Sequence, residues 1–472
     1  MKTLSKGIDR EKVELISKLK NEPDWMTKFR LDSYDVFNLK KMPSWGPNIN
    51  INLDDITYYK KVFDDIKDNW NNLEKGVKET FEDIGLIKAE EEYLGGVHVQ
   101  YESEGLYSNM LKELKDKNVI FLDTDTALKK YPDLFKKYFG KLVKNDDNKF
   151  ASLNSAVWSG GTFIYVPPNT KLDRPLQSYF RIESKDMGQF ERTLIIVDEG
   201  SDLHYIEGCT APTYSSDSLH AAVVEIYVEK NAKCRYTTIQ NWSNNVYNLV
   251  TKRALVEEGG TMEWIDGNIG SKLTMKYPAC ILKGDYAKGN CTTIALADNG
   301  QIQDTGAKMI HLGKHTKSNI LSKSIGRNGG NASYRGLVKI TKNAKYSSAN
   351  VKCDTILLDE LSKSDTFPTN ICENKTSSLE HEATVSKIDP NQLFYLMTRG
   401  LDENKATELL IMGFIDAFRE ELPLEYAVEL NQLLKGEGIK ECKRWTSQEK
   451  VDSLKRHLKP WFDFILDWGF II

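Results

Sequence analysis

A chain of 472 residues, 40% hydrophobic and 28% charged with a net charge of −4, can bury a large core and has room for two or three domains. The near-balance of charge excludes a general nucleic-acid binder, since no basic domain is there to neutralise phosphates. No run of about 18 apolar residues occurs and the charged opening "MKTLSKGIDREKVELISKLK" lacks the apolar stretch of a secretion signal, so a cytoplasmic chain without membrane contact is expected, its seven scattered cysteines reduced.

Residues 1–150 read as a helical and mixed N-terminal domain. "DDIKDNWNNLEKGVKETFEDIGL" and "SNMLKELKDK" have helical spacing and good helix formers. From residue 151 the texture changes to short runs rich in Val, Ile, Tyr and Thr, separated by Gly, Asn and Asp turns, which is the signature of strands. These runs repeat. Aligning their turns on Gly200, Ala232, Gly260, Ala287, His315 and Ala344 gives steps of 32, 28, 27, 28 and 29 residues. A regular period means stacked units that share a core. It argues against a β-sandwich and for a right-handed parallel β-helix over 151–388, with one coil or two short ones per period. Residues 389–438 revert to a helical pattern, with Asp402 as a helix cap and Ala406, Leu409, Leu410, Gly413, Phe414, Ala417 and Phe418 on one stripe. A further amphipathic helix is expected in the tail 439–472, through Leu454, Leu458, Trp461, Phe462, Ile465 and Leu466.

Within the repeats, Cys353 precedes the pair His381-Glu382 by one period. In a solenoid, residues one period apart share a face of successive units. Cys353 and His381 are therefore expected side by side, roughly 5 Å apart for one coil per period and about 10 Å for two. Thiolate and imidazole are both iron ligands, with carboxylate a weaker third. Adjacent residues on a strand point to opposite faces, so His381 and Glu382 can serve one metal only where the strand bulges or ends. One thiolate with imidazole or carboxylate help would hold an iron–sulfur cluster less firmly than four thiolates do, which suits release. No GxxxxGK[ST] loop is present, so any ATP-driven step must come from another chain.

The motifs "EPDWMTKFRL", "MPSWG", "SAVWSGGTFIYVP", "EGCTAP", "DTGAKMIHLGKHTKS", "CDTILLD" and "LEHEATVSKI" stand in order along about residues 10–436. They resemble the SufB branch of the SufB/SufD family, the scaffold of the SUF iron–sulfur cluster assembly system. The resemblance implies a β-helix between helical regions, and a scaffold rather than an enzyme. It implies a transient iron–sulfur cluster, of the 4Fe–4S type, on Cys353, His381 and Glu382. Cys209, in "EGCTAP", corresponds to the acceptor of persulfide sulfur, and Arg181, Gln240, Trp242 and Lys252 to a polar path through the β-helix interior. The implied partners are a SufC-type ABC ATPase docking on the C-terminal helices, a SufD-type paralogue or a second copy of this chain, a cysteine desulfurase or sulfur-transfer protein, and apo iron–sulfur proteins. A reduced flavin is a further optional participant. Glu183 departs from relatives that carry an amide there, and the tail beyond about residue 438 has no counterpart. A structural SufD-like role and a β-helix carbohydrate-active enzyme are the alternatives. Retention of "EGCTAP", Cys353 and "HEAT" speaks against the first, and the missing secretion signal against the second.

Overall fold

The computed structural model describes residues 2–62, 65–83, 85–211, 214–419 and 421–422. Two long parallel sheets make its body. One has ten strands and the other thirteen, and the chain winds between them as a β-solenoid of about eight turns. In the first sheet, the strands starting at Asp202, Lys233, Thr261, Lys288, Lys317, Ser348 and Ser378 stack in register. One period is thus one coil, carrying one strand in the first sheet and one strand, or two short ones, in the second, and the closer of the two expected spacings applies.

Each coil turns the same corner through a residue with positive φ: Gly200, Asn231, Gly259, Tyr286, His315 and Tyr346. Gly and Asn accept that conformation readily. Where Tyr286, His315 and Tyr346 stand instead, their rings stack on the surface at centroid distances of 4.9 and 5.1 Å, so the ladder of rings offsets the backbone strain. The strand period of two sends alternate side chains inward. Leu203, Ile226, Val256, Met262, Leu282, Met309 and Val351 fill one continuous buried core between the sheets.

The first 150 residues do more than flank the solenoid. Strands Gly96–Tyr101, Glu104–Met110 and Ile120–Asp123 extend its sheets. "SNM", read above as helical, closes the second of these strands, and the helix that follows is only Lys112–Asp116. Helices Arg10–Lys20 and Asp24–Leu39 lie against the outer face of the second sheet, where Val13, Ile16 and Phe37 pack with Tyr247, Leu249 and Met275. At the other end, helix Glu403–Arg419 covers the outer face of the first sheet. Asp402 accepts the Lys405 backbone N–H at 2.9 Å, as a cap does. The buried stripe is rotated from the expected one: Ile411, Ile415 and Phe418 pack on Ile265, Ile294 and Ile325, whereas Leu409 is exposed. Both stripes satisfy helical spacing, and only the position of the sheet decides between them. The expected tail helix over 439–472 lies outside the described residues.

Candidate functional site

Inward positions of a solenoid are ordinarily apolar, because a polar group there loses water and needs a partner. The first sheet breaks this rule along two adjacent register columns: one holds Cys209, Gln240, Asn268, Ala295, Ser324 and Thr355, and the other is without an aliphatic residue from end to end. Glu207 stands beside Thr238, Thr238 beside Asp266, Asp266 beside Thr293, Thr293 beside Ser322, and Ser322 beside Cys353. All six are buried. Steps of one strand spacing make the column roughly 24 Å long.

Cys209 sits at its foot. It is 1% exposed, packed with Phe180, Trp242 and Val246, and its Sγ lies 4.0 Å from Glu207 Oε1. Burial pushes its thiol pKa well above the ordinary value, and the Glu207 and Glu191 carboxylates push it the same way. Its register partner Gln240 also points inward. The Gln240 Oε1 accepts from Lys276 Nζ and Asn248 Nδ2, each at 2.8 Å. Among the described residues Gln240 Nε2 and Trp242 Nε1 are buried donors with no hydrogen-bond partner. Two such donors beside a thiol make a place where an anionic sulfur species would be welcome.

The second sheet sends cations across to the column. Lys252 Nζ donates to Thr238 Oγ1 at 2.6 Å and reaches Asp266 at 3.5 Å and Glu207 at 4.0 Å, while lying 4.5 Å over the Tyr236 ring. Lys276 pairs with Asp266 at 3.0 Å. Burial lowers the Lys276 pKa to about 8 against the pull of Asp266. Burial raises that of Asp266, but Lys276 and Lys252 outweigh it and hold the carboxyl below its usual range. His220 bridges Asn248, at 2.7 Å, and Glu191.

Gln240, Trp242 and Lys252 therefore line the interior near Cys209. Arg181 does not. Its neighbour Phe180 is the register partner of Cys209, while Arg181 pairs with Thr210, so strand alternation turns the guanidinium outward. There its Nε donates to Glu183 at 2.5 Å, which corrects the expected place along the interior path.

At the head of the column Cys353 Sγ lies 3.0 Å from His381 Nε2. The register partner of Cys353 is Ala383, and His381 stands two residues earlier, on the same face. The imidazole is held by Asn370, 3.1 Å from Nδ1, and by the edge of Tyr334, 6.0 Å away. Burial, and then Asp354, pushes the Cys353 thiol up to about 12, and burial lowers the His381 pKa. Glu382 projects from the opposite face of the same strand and pairs with Lys352 at 3.5 Å. The strand neither bulges nor ends there, so Cys353, His381 and Glu382 do not converge. Among the described residues no group of three or more Cys, His, Asp or Glu side chains is arranged to hold a metal ion. This end of the solenoid is open: Phe367, Ile371 and Val385 are exposed, as is the free Cys372.

Glu207, Asp266, Lys276, Thr293, Ser322 and Asn370 were not among the residues expected from sequence. The signal for most of them was present: once the repeats are aligned strand by strand, they are polar residues at inward positions.

Known proteins place this architecture. Residues 97–178 match the family described as SufBD protein N-terminal region, and residues 180–414 match the SUF system FeS cluster assembly, SufBD core domain. An iron–sulfur cluster assembly SufBD family protein of Staphylococcus aureus (strain MRSA252) is 58% identical over 433 residues, covering 92% of this chain and 93% of the relative. Its counterpart in Staphylococcus haemolyticus (strain JCSC1435) is 57% identical over the same length and the same shares. Among the described residues no helix is long and apolar enough to cross a membrane. A polar lane between two buried thiols, wound into a β-solenoid and aligned with these relatives over nine-tenths of its length, assigns the chain to the SufBD family of iron–sulfur cluster assembly proteins.

Proposed function

We propose that this chain is the scaffold subunit of its assembly system, in the role of SufB. It accepts sulfur at Cys209, passes it along the inner column, and builds a transient iron–sulfur cluster at the open end on Cys353 and His381. The observation that carries this reading is the unbroken polar column from Glu207, in contact with Cys209, to Cys353, in contact with His381. Apolar side chains would stabilise a solenoid core better, so a column of hydroxyls and charges calls for a functional reason. A purely structural sister subunit would need neither thiol.

One thiolate and one imidazole leave iron short of ligands. The remaining ones come from outside this face of the chain: a paralogous subunit or second copy docked on the open end, with Glu382 available at its rim. An ABC-type ATPase drives the complex, a cysteine desulfurase route supplies the sulfur, and apo-proteins receive the product.

Anaerobic reconstitution with ferrous iron and sulfide, read by absorption and Mössbauer spectra, tests the berth. Wild type should load a cluster, and Cys353→Ala should lose most of it; equal loading of both would overturn the assignment. Cys209→Ala should lose persulfide labelling from a donor yet still load from free sulfide.

A further inference from the structure

A buried thiol is a poor nucleophile until something removes its proton. Cys209 is 1% exposed, and burial moves its pKa away from ionisation. The groups facing it and its neighbour Glu207 are Tyr205 on the same strand, Glu191 and His220 on one side, Tyr236 on the next coil, and Lys252 and Lys276 from the opposite sheet. Most are already engaged. Glu191 is bonded to His220 through Oε1, while its Oε2 has no hydrogen-bond partner among the described residues; Lys276 is bonded to Asp266 and Gln240, and the Tyr205 hydroxyl to Thr162 at 2.9 Å. Glu207 differs. It stands two positions before Cys209 on the same inward face, and Tyr236 donates to its Oε2 at 2.5 Å. That bond leaves Oε1 turned toward the sulfur at 4.0 Å, with Lys252 Nζ equally distant on the other side.

We propose that Glu207 is the general base of sulfur acceptance, taking the proton of Cys209 as its Sγ attacks a donor persulfide. The proposal rests on Cys209 being the sulfur acceptor. In the step, the carboxylate of Glu207 accepts the S–H proton while Sγ bonds to the terminal sulfur of a donor R–S–SH. The donor's S–S bond breaks and its electron pair leaves with the R–S⁻ thiolate. The products are Cys209–S–SH, R–S⁻ and a protonated Glu207, with no net oxidation or reduction. Burial raises the pKa of Glu207 and Lys252 opposes that rise, so the group is more basic than a solvated carboxylate, as proton transfer from a thiol requires. Lys252 and the Tyr236 hydroxyl favour the charged form against that burial.

The test uses the full chain, anaerobic, with glutathione persulfide as donor and mass spectrometry reading the persulfide on Cys209 from pH 6 to 9.5. Wild type should show a rate that levels off within this range once Glu207 is ionised. Glu207→Gln, with an unchanged thermal transition, should be at least about tenfold slower at pH 7 and should climb about tenfold per pH unit, following ionisation of the thiol itself. A Glu207→Gln variant with the wild-type rate and profile would overturn the proposal. So would a wild-type rate that climbs tenfold per unit through pH 9, a measurement that needs no variant. Wild type that takes no sulfur at Cys209 at any pH would instead overturn the acceptor reading beneath it, with Cys209→Ser as the blank.

Discussion

A thiol and an imidazole 3.0 Å apart at the rim of a solenoid behave differently from a free surface thiol. The Cys353 pKa is pushed up to about 12, so at neutral pH almost none of it is thiolate, and only 4% of the residue is exposed. Cys372 is exposed at the same end. Iodoacetamide at pH 7.5 should therefore modify Cys372 at least about tenfold faster than Cys353 or Cys209, as peptide mass mapping would read. Equal rates at Cys353 and Cys372 would mean that the rim thiol is open to solvent. At this scale the sequence was partly legible. Spacing alone brought Cys353 and His381 together, and the alternation rule already set Glu382 against them. Asn370, eleven residues before His381 on a strand of the other sheet, carried no such signal, because its approach to the imidazole depends on how the last coil closes.

Along a strand, the polar column is a local departure from an apolar inward face, and its members differ in what they cost. Among the described residues Thr293 Oγ1 is buried with no hydrogen-bond partner. Replacing it by the near-isosteric Val removes an unsatisfied hydroxyl, so Thr293→Val should leave stability unchanged or raise it by about 1 kcal/mol in urea unfolding. If the column carries sulfur, the same variant should slow delivery from Cys209 to Cys353 while leaving labelling of Cys209 intact. A stability gain with undiminished delivery would remove Thr293 from the path. Strands, turns and their period were legible because the repeat multiplies each weak local signal sixfold. The buried stripe of helix Glu403–Arg419 and the outward turn of Arg181 were not. The first depends on which face meets the sheet, and the second on a register offset of one residue that motif matching ignores.

Over the whole molecule, buried charge sets how stability responds to pH. Lys276 is held at about 8, below its ordinary 10.5, chiefly by burial. Above pH 8 the folded chain gives up this proton while the unfolded chain keeps it until about pH 10.5. More protons on the unfolded state mean that stability rises with pH across that window and is insensitive to this group below it. Urea unfolding should accordingly show wild type gaining stability relative to Lys276→Met between pH 7.5 and 9.5. A difference independent of pH would place the lysine elsewhere. The solenoid with its helical flanks was legible in outline, since period and composition fix it. The sharing of N-terminal strands with the solenoid sheets was not, because Gly96–Tyr101 and Ile120–Asp123 join them by pairing with residues far away in sequence.

The column is bordered on one side by Tyr205, Tyr236, Trp264, Cys291, Ile320 and Val351, and on the other by a second inward column that runs from Cys209 through Gln240, Asn268 and Ser324 to Thr355. On the proposed function one acceptor thiol would feed this lane, and a cluster contains several sulfides. A scaffold fed in this way would have to retain an unfinished product through repeated deliveries, so how long it grips a fragment would matter more to yield than how fast any single atom arrives.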